Sequence, residues 1–167
     1  VEDAEENPLI EGVVVNVHHF APKIVTWLDG YRHAASSDES TLPVMPGDGR
    51  TSRHLPVDIS DESAMLLETG GAVLHARRFL EGCGHFLIHN VDIFSNCDIP
   101  CFMGQVKDDA LGTLLVSERE TSRFLLFHPQ TMRLVGWTNV NTGDYHLADP
   151  SMKLEECRAL GFSGIHI

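Results

Sequence analysis

The side chains best suited to chemistry sit at the end of an apolar run. Residues 85–94 read HFLIHNVDIF, and the consecutive Phe86, Leu87 and Ile88 suit a strand inside a parallel sheet, covered on both faces. Asp92 follows, and a carboxylate in such a place is expensive unless something pairs with it. Either Asp92 faces a ligand-bound divalent cation, or it caps the turn that follows; the pattern leaves both open. Mg2+ would suit the first role, because it takes one or two carboxylates and leaves its other positions to water and phosphate oxygens. A second candidate is the pair Gly70 and Gly71 in LLETGGAVLHARRFL. Placed just before a helical pattern, they let a ligand approach backbone N–H groups, although a tight turn would ask for the same residues.

Other reactive residue types form no familiar constellation. Cys97 and Cys101 have a C-x3-C spacing without a second ligand pair, and with Cys83 and Cys157 they read as ordinary buried thiols rather than a zinc site. His18 and His19 are adjacent, so in a strand they point to opposite faces. The 24 acids against 12 Lys and Arg give a formal net charge of -12, which argues against nucleic acid and anionic membranes as partners. An anionic small molecule is compatible with that charge if a metal supplies the positive counterpart. With no apolar run near the roughly 18 residues of a membrane span and no signal-peptide pattern at the start, a soluble cytoplasmic protein is expected.

The elements that must position these residues alternate. GVVVNV at 12–17 is a β-branched strand, and HHFAPKIVTWLDG reads as a helix with Phe20, Ile24, Trp27 and Leu28 at helical spacing, Pro22 in its first turn and Gly30 at its end. Residues 31–56, rich in Ser, Asp, Gly and Pro, read as a flexible insertion. VDISDES is a short strand leading to a helix with Val73, Ala76, Phe79 and Leu80 on one face, ended by Gly82. After HFLIHNVDIF come a helical turn near 98–106, the strand LGTLLVSER, a hairpin RFLLFHPQTMRLVGW turning at 128–131, a turn at NTGD and a last strand ending FSGIHI. Such alternation predicts one α/β domain with a mostly parallel sheet, the hairpin adding an antiparallel element, and ligands beyond the carboxyl ends of the strands.

In order along the chain, LLETGGAVLHARRFL, FLIHNVDIF, LLVSERETSRFLLFHPQTMRLVGW and LGFSGIHI resemble the sugar-1-phosphate nucleotidyltransferases. The resemblance is especially to their bacterial branch, mannose-1-phosphate guanylyltransferase-like or N-acetylmuramate-1-phosphate uridylyltransferase-like, and the likeness runs from about Gly12 to Ile167, interrupted by the 31–56 insertion. It implies a Rossmann-like fold with helices on both faces of the sheet, here an incomplete domain over 1–167. The implied reaction joins an NTP and a sugar 1-phosphate into an NDP-sugar and pyrophosphate with Mg2+ as cofactor. By that likeness Asp92 is the metal ligand and catalytic residue, and Glu68, Thr69, Gly70 and Gly71 lie along the nucleotide. Gly136, Thr138 and Asn139, beside Trp137, fall on the sugar-contacting segment, and Ser163 and Gly164 fall on a strand that borders the sugar pocket. Arg119 and Arg123 are candidate phosphate contacts or plain surface residues. A homo-oligomer is compatible with the family.

Departures from the family pattern bear on activity. The G-x-G-T-R loop and Pro-Lys pair that cradle the triphosphate do not occur in these residues, nor does the second metal-binding Asp, and the Gly that commonly precedes the metal Asp is Val91. The expectation is a chain that is catalytically incomplete by itself, either part of an active enzyme or a module that binds nucleotide or nucleotide sugar. A glycosyltransferase of related fold ranks last, because the Asp-x-Asp pair it needs has Asn at position 90.

Overall fold

The computed structural model describes residues 10–36 and 55–167. Two compact units divide the chain, Val1–Cys83 and Gly84–Ile167.

In the first unit the β-branched run forms β1 (Val13–Val17), and the Pro22-containing segment forms α1 (Ala21–Ser36). Gly30 does not end this helix. Residues 31–36 of the expected insertion complete it, and residues 37–54 lie outside the described residues. β2 (Val57–Asp61) then pairs with β1 in parallel, Val13 opposite Val57 and Val17 opposite Asp61. Arg32 ties the helix to the start of β2 by donating from Nε to the Val57 carbonyl at 2.9 Å. The second helical pattern is broken at Ala76 into α2 (Glu68–His75) and α3 (Arg77–Leu80). Val17, Ala21, Leu28 and Ala76 are buried, whereas Trp27, expected on the apolar face of α1, is largely exposed and stacks on Tyr31.

The second unit is an antiparallel sheet. Its elements are β3 (Ile88–His89), α4 (Ile99–Met103), β4 (Leu114–Ser117), β5 (Arg123–Phe127), β6 (Leu134–Asn139), β7 (Asp144–Leu147), a 3-10 turn (Leu154–Glu156) and β8 (Arg158–His166). β8 is the hub: β5 pairs with its first half, β3 and β4 with its second, and every one of these pairings is antiparallel. β5, β6 and β7 follow one another as hairpins. Local chemistry explains the turns. His128 Nδ1 accepts from the N–H groups of Gln130 and Thr131, and Gly143 takes the positive φ of 78° that the second turn needs. Asp98 caps α4 by accepting from Cys101 N at 2.9 Å, with Pro100 in the first turn. Leu126, Phe127, Leu160 and Ile165 form the core, each burial contributing roughly 1.5–3 kcal/mol.

The expected fold is therefore corrected. A mostly parallel, Rossmann-like sheet with helices on both faces is not what forms; the larger sheet has six antiparallel strands, and the parallel pairing is confined to β1 and β2. The physical reason lies in the connections. Parallel neighbours need crossovers of about a dozen residues or more, whereas β5, β6 and β7 are joined by short turns that permit only antiparallel pairing. The apolar run at 86–88 misled for a related reason. It contributes a two-residue strand, and its residues are half-buried on one sheet edge rather than enclosed on both faces.

Candidate functional site

Asp92 lies in a turn just after β3, not within a strand, and its side chain is exposed. The turn is seated on β8. Asn90 N donates to the Gly164 carbonyl at 2.9 Å, and Ile93 N closes back on the Asn90 carbonyl at 3.1 Å. Close approach is what Gly164 allows: its φ is +76°, and a Cβ there would meet Ile93 Cγ1 at 2.6 Å and Asn90 Cβ at 3.4 Å. Opposite β4 the pairing slips between Leu114 and Val116, which face His166 and Phe162, so β8 bulges through Ser163 and Gly164. Bulges of this kind re-aim side chains at the edges of sites.

The bulge and the turn border one cleft of about 470 Å³, lined by Asp92, Asn96, Cys97, Ser117, Arg119 and Ser163 among others. The Ser117 and Ser163 hydroxyls lie 3.3 Å apart. Arg119 lies across Gly161, where a Cβ would meet its Nε at 2.7 Å, and donates from Nη2 to the Phe162 carbonyl at 2.8 Å. Asp92 takes part in no ion pair among the described residues. No group of three or more His, Cys, Asp and Glu gathers among them either.

A second hollow of about 440 Å³ lies over β5 and β6, lined by Arg123, Leu125, Trp137, Thr138, Asn139, Asp144 and Phe162 among others. Thr138 is buried and donates to the Asp144 carbonyl at 3.1 Å, while Asn139 Oδ1 accepts from Asn141 N at 3.1 Å. Gly136 is a packing residue of the β6–β7 pair, since a Cβ there would run into the His146 carbonyl oxygen. His166 on β8 is partly buried and its Nδ1 has no partner among the described residues; desolvation holds its pKa below the usual histidine value.

The residues expected along the nucleotide belong to the first unit. Glu68, Thr69, Gly70 and Gly71 form the first turn of α2, and Glu68 holds a left-handed φ of 60°. The two glycines differ. A Cβ on Gly71 would meet Leu67 Cβ at 2.8 Å, while nothing lies within 4 Å of one on Gly70. Packing explains the first glycine and leaves the second open to solvent.

Around the carboxyl ends of β1 and β2 sits a buried polar cluster that the sequence reading missed. Glu62 is 4 % exposed and Ser60 is fully buried, its Oγ 2.9 Å from His75 Nδ1. The Glu62 carboxylate accepts from Asn16 Nδ2 and, at 3.2 Å, from Leu67 N. A signal was present: Ser60 and Glu62 are two residues apart, so continuing the strand's period places Glu62 on the inward face. Beside it, Asp61 points outward, and the Ser63 hydroxyl and N–H hold its carboxyl below the usual range.

No family model matches the sequence, and neither a curated protein nor a solved structure matches it at a significant level. No described helix is long and apolar enough to cross a membrane.

Proposed function

We propose that this chain belongs to a nucleotidyltransferase that moves a nucleotidyl group from an NTP to a sugar 1-phosphate, giving an NDP-sugar and pyrophosphate. The observation that carries the proposal is Asp92. It is an exposed carboxylate on the rim of a cleft, free of ion pairs among the described residues, within a segment resembling the family's metal-binding motif.

The donors around Asp92 suit Mg2+. Besides the carboxylate they are the hydroxyls of Ser95, Ser117 and Ser163 and the Asn96 amide, hard oxygen groups, with one thiol, Cys97, at the same rim. A single carboxylate is enough for an ion that keeps water and phosphate as its remaining ligands. Bound there, Mg2+ supplies positive charge against the phosphate oxygens. The chain's own cations add to it: Arg119 spends one of its five N–H donors on the Phe162 carbonyl, and the Arg123 guanidinium makes no ion pair among the described residues.

In the reaction a sugar-phosphate oxygen attacks the α-phosphorus, the bond to the bridging β-phosphate oxygen breaks, and pyrophosphate leaves with that electron pair. No covalent nucleophile is required, so the protein's work is positioning and charge neutralisation. The hollow holding Trp137, Thr138 and Asn139 supports the sugar side, with an aromatic ring and amide beside Arg123. Within the first unit, Gly70 is open to solvent in the segment that the resemblance assigns to the nucleotide.

Incubation of the parent protein with each of the four NTPs, a panel of sugar 1-phosphates and Mg2+, with pyrophosphate release followed, tests the proposal. Release with one matched pair is the expected result. Nucleotide binding without release would point instead to a non-catalytic module that holds nucleotide or nucleotide sugar, and absence of both would remove the proposal.

A further inference from the structure

We infer that Glu62 is the positioning residue of the nucleotide segment, acting through Leu67 to fix the first turn of α2. The inference rests on the nucleotidyltransferase proposal for what that turn binds.

Every polar group of Glu62 is used to join the end of β1 to the start of α2. Its N–H donates to the Val17 carbonyl at 2.8 Å, and its own carbonyl accepts from Met65 N at 3.0 Å. His18 Nδ1 lies 2.7 Å from that same carbonyl, which can only accept, so the imidazole carries its hydrogen on Nδ1. The carboxylate takes one hydrogen bond from each side, Asn16 on β1 and Leu67 at the head of the helix.

Leu67 is the point where this matters. It stands as N-cap of α2, and its own N–H, a helix-end donor that would otherwise need water, is satisfied by a buried acid. The next residue, Glu68, holds the left-handed φ, a conformation that persists only where its surroundings enforce it. Leu67 is also the residue against which Gly71 packs without room for a Cβ. Carboxylate, Leu67 and Gly71 thus form a continuous chain of contacts that sets the path of Glu68 to Gly71.

A buried carboxylate met only by neutral donors is a costly way to fill space, and glutamine would fit the same volume. Glutamine would also keep both partners: once the Asn16 amide turns over, its Oδ1 accepts from the glutamine NH2 while the glutamine Oε1 accepts from Leu67 N. Methionine fills a similar volume and accepts from neither, so Glu62→Met keeps shape and removes both anchors, and Glu62→Gln is the conservative variant that retains them.

The test uses the parent protein in three forms: wild type, Glu62→Met and Glu62→Gln. Binding of mant-labelled ATP, GTP, UTP and CTP is followed by fluorescence, and KM and kcat by pyrophosphate release. For Glu62→Met the NTP Kd and KM should rise roughly ten-fold or more, the size of one lost hydrogen bond to a charged group. The KM for sugar 1-phosphate and kcat at saturating NTP should stay unchanged, and Glu62→Gln, which retains both hydrogen bonds, should hold most of the NTP affinity. Asn16→Ala, which keeps the acid and removes one donor, should shift NTP affinity in the same direction and serves if the methionine variant does not fold. A fall in kcat with both KM values unchanged, or NTP affinity at the wild-type level in Glu62→Met and Asn16→Ala, would overturn the inference and leave the proposed function standing. A wild type that binds none of the four nucleotides and releases no pyrophosphate would overturn both.

Discussion

Two carboxylates at strand ends, one in each unit, have opposite surroundings. Glu62 follows β2, is buried, and has both oxygens engaged by protein donors. Asp92 follows β3, is exposed, and rims a cleft with no ion pair among the described residues. A buried acid with both oxygens engaged by the scaffold can hold a loop but is closed to a ligand; an acid left open contributes little to stability and has its full charge to offer. The same contrast separates Gly71, closed by Leu67, from Gly70, which touches nothing.

Alanine at the two acids is the strongest way to break that comparison. Glu62→Ala leaves the Asn16 amide and the Leu67 N–H without their acceptor, and at about 1–3 kcal/mol for each unsatisfied group the loss should reach about 3 kcal/mol in urea unfolding. Asp92→Ala, measured the same way, should stay within about 0.5 kcal/mol of wild type. Equal losses at the two sites would erase the distinction.

Next in size is the seat of the Asp92 turn. Gly164→Ala forces a side chain into a positive φ and against Ile93, and a loss of about 2 kcal/mol is expected, together with weaker binding of Mn2+ as a paramagnetic stand-in for Mg2+. Unchanged stability and Mn2+ binding would show that the turn does not depend on this close approach. The glycine pair of α2 gives a smaller effect of mixed sign. Gly71→Ala should destabilise by about 1 kcal/mol through its contact with Leu67. Gly70→Ala, in open space on a helix, should stabilise by up to about 1 kcal/mol while lowering affinity for labelled nucleotide. Both effects are readable from one thermal melt and one titration.

The smallest effect expected is a pH dependence from His166. Its folded-state pKa lies below the usual value of 6.5, so the unfolded chain binds the proton more readily. Its contribution to stability is thus complete above about pH 6.5 and is lost as the pH falls through the folded-state pKa. Urea midpoints of wild type should fall between pH 7.5 and 5.5 by more than those of His166→Phe; parallel curves would show that the imidazole titrates alike in both states.

Features written in neighbouring residues were legible in the sequence. The β5–β6 hairpin, the NTGD turn and the Asp98–Pro100 start of α4 depend on side chains acting on backbone groups two to four residues away. Strand partners were not legible, because β8 gathers β3, β4 and β5 from across the second unit and no local signal names them. Gly30 shows the limit of propensity. It reads as a helix end, yet α1 continues to Ser36, anchored by Arg32 on β2. Asp92 was found as a candidate, but its exposure was not, since the apolar residues before it imply burial on both faces where only one sheet edge exists. Glu62 escaped notice because, beside Asp61 and Ser63, it looks like part of a polar turn; only the strand period points it inward.

Pyrophosphate release by Asp92→Asn, compared with wild type over a Mg2+ titration on the matched NTP and sugar 1-phosphate, tests the central claim most directly. The substitution keeps size and removes the charge, so a loss on the order of 100-fold or more is predicted, with the folded state intact by melting. Turnover near the wild-type rate at the same Mg2+ concentration would contradict the role given to this carboxylate.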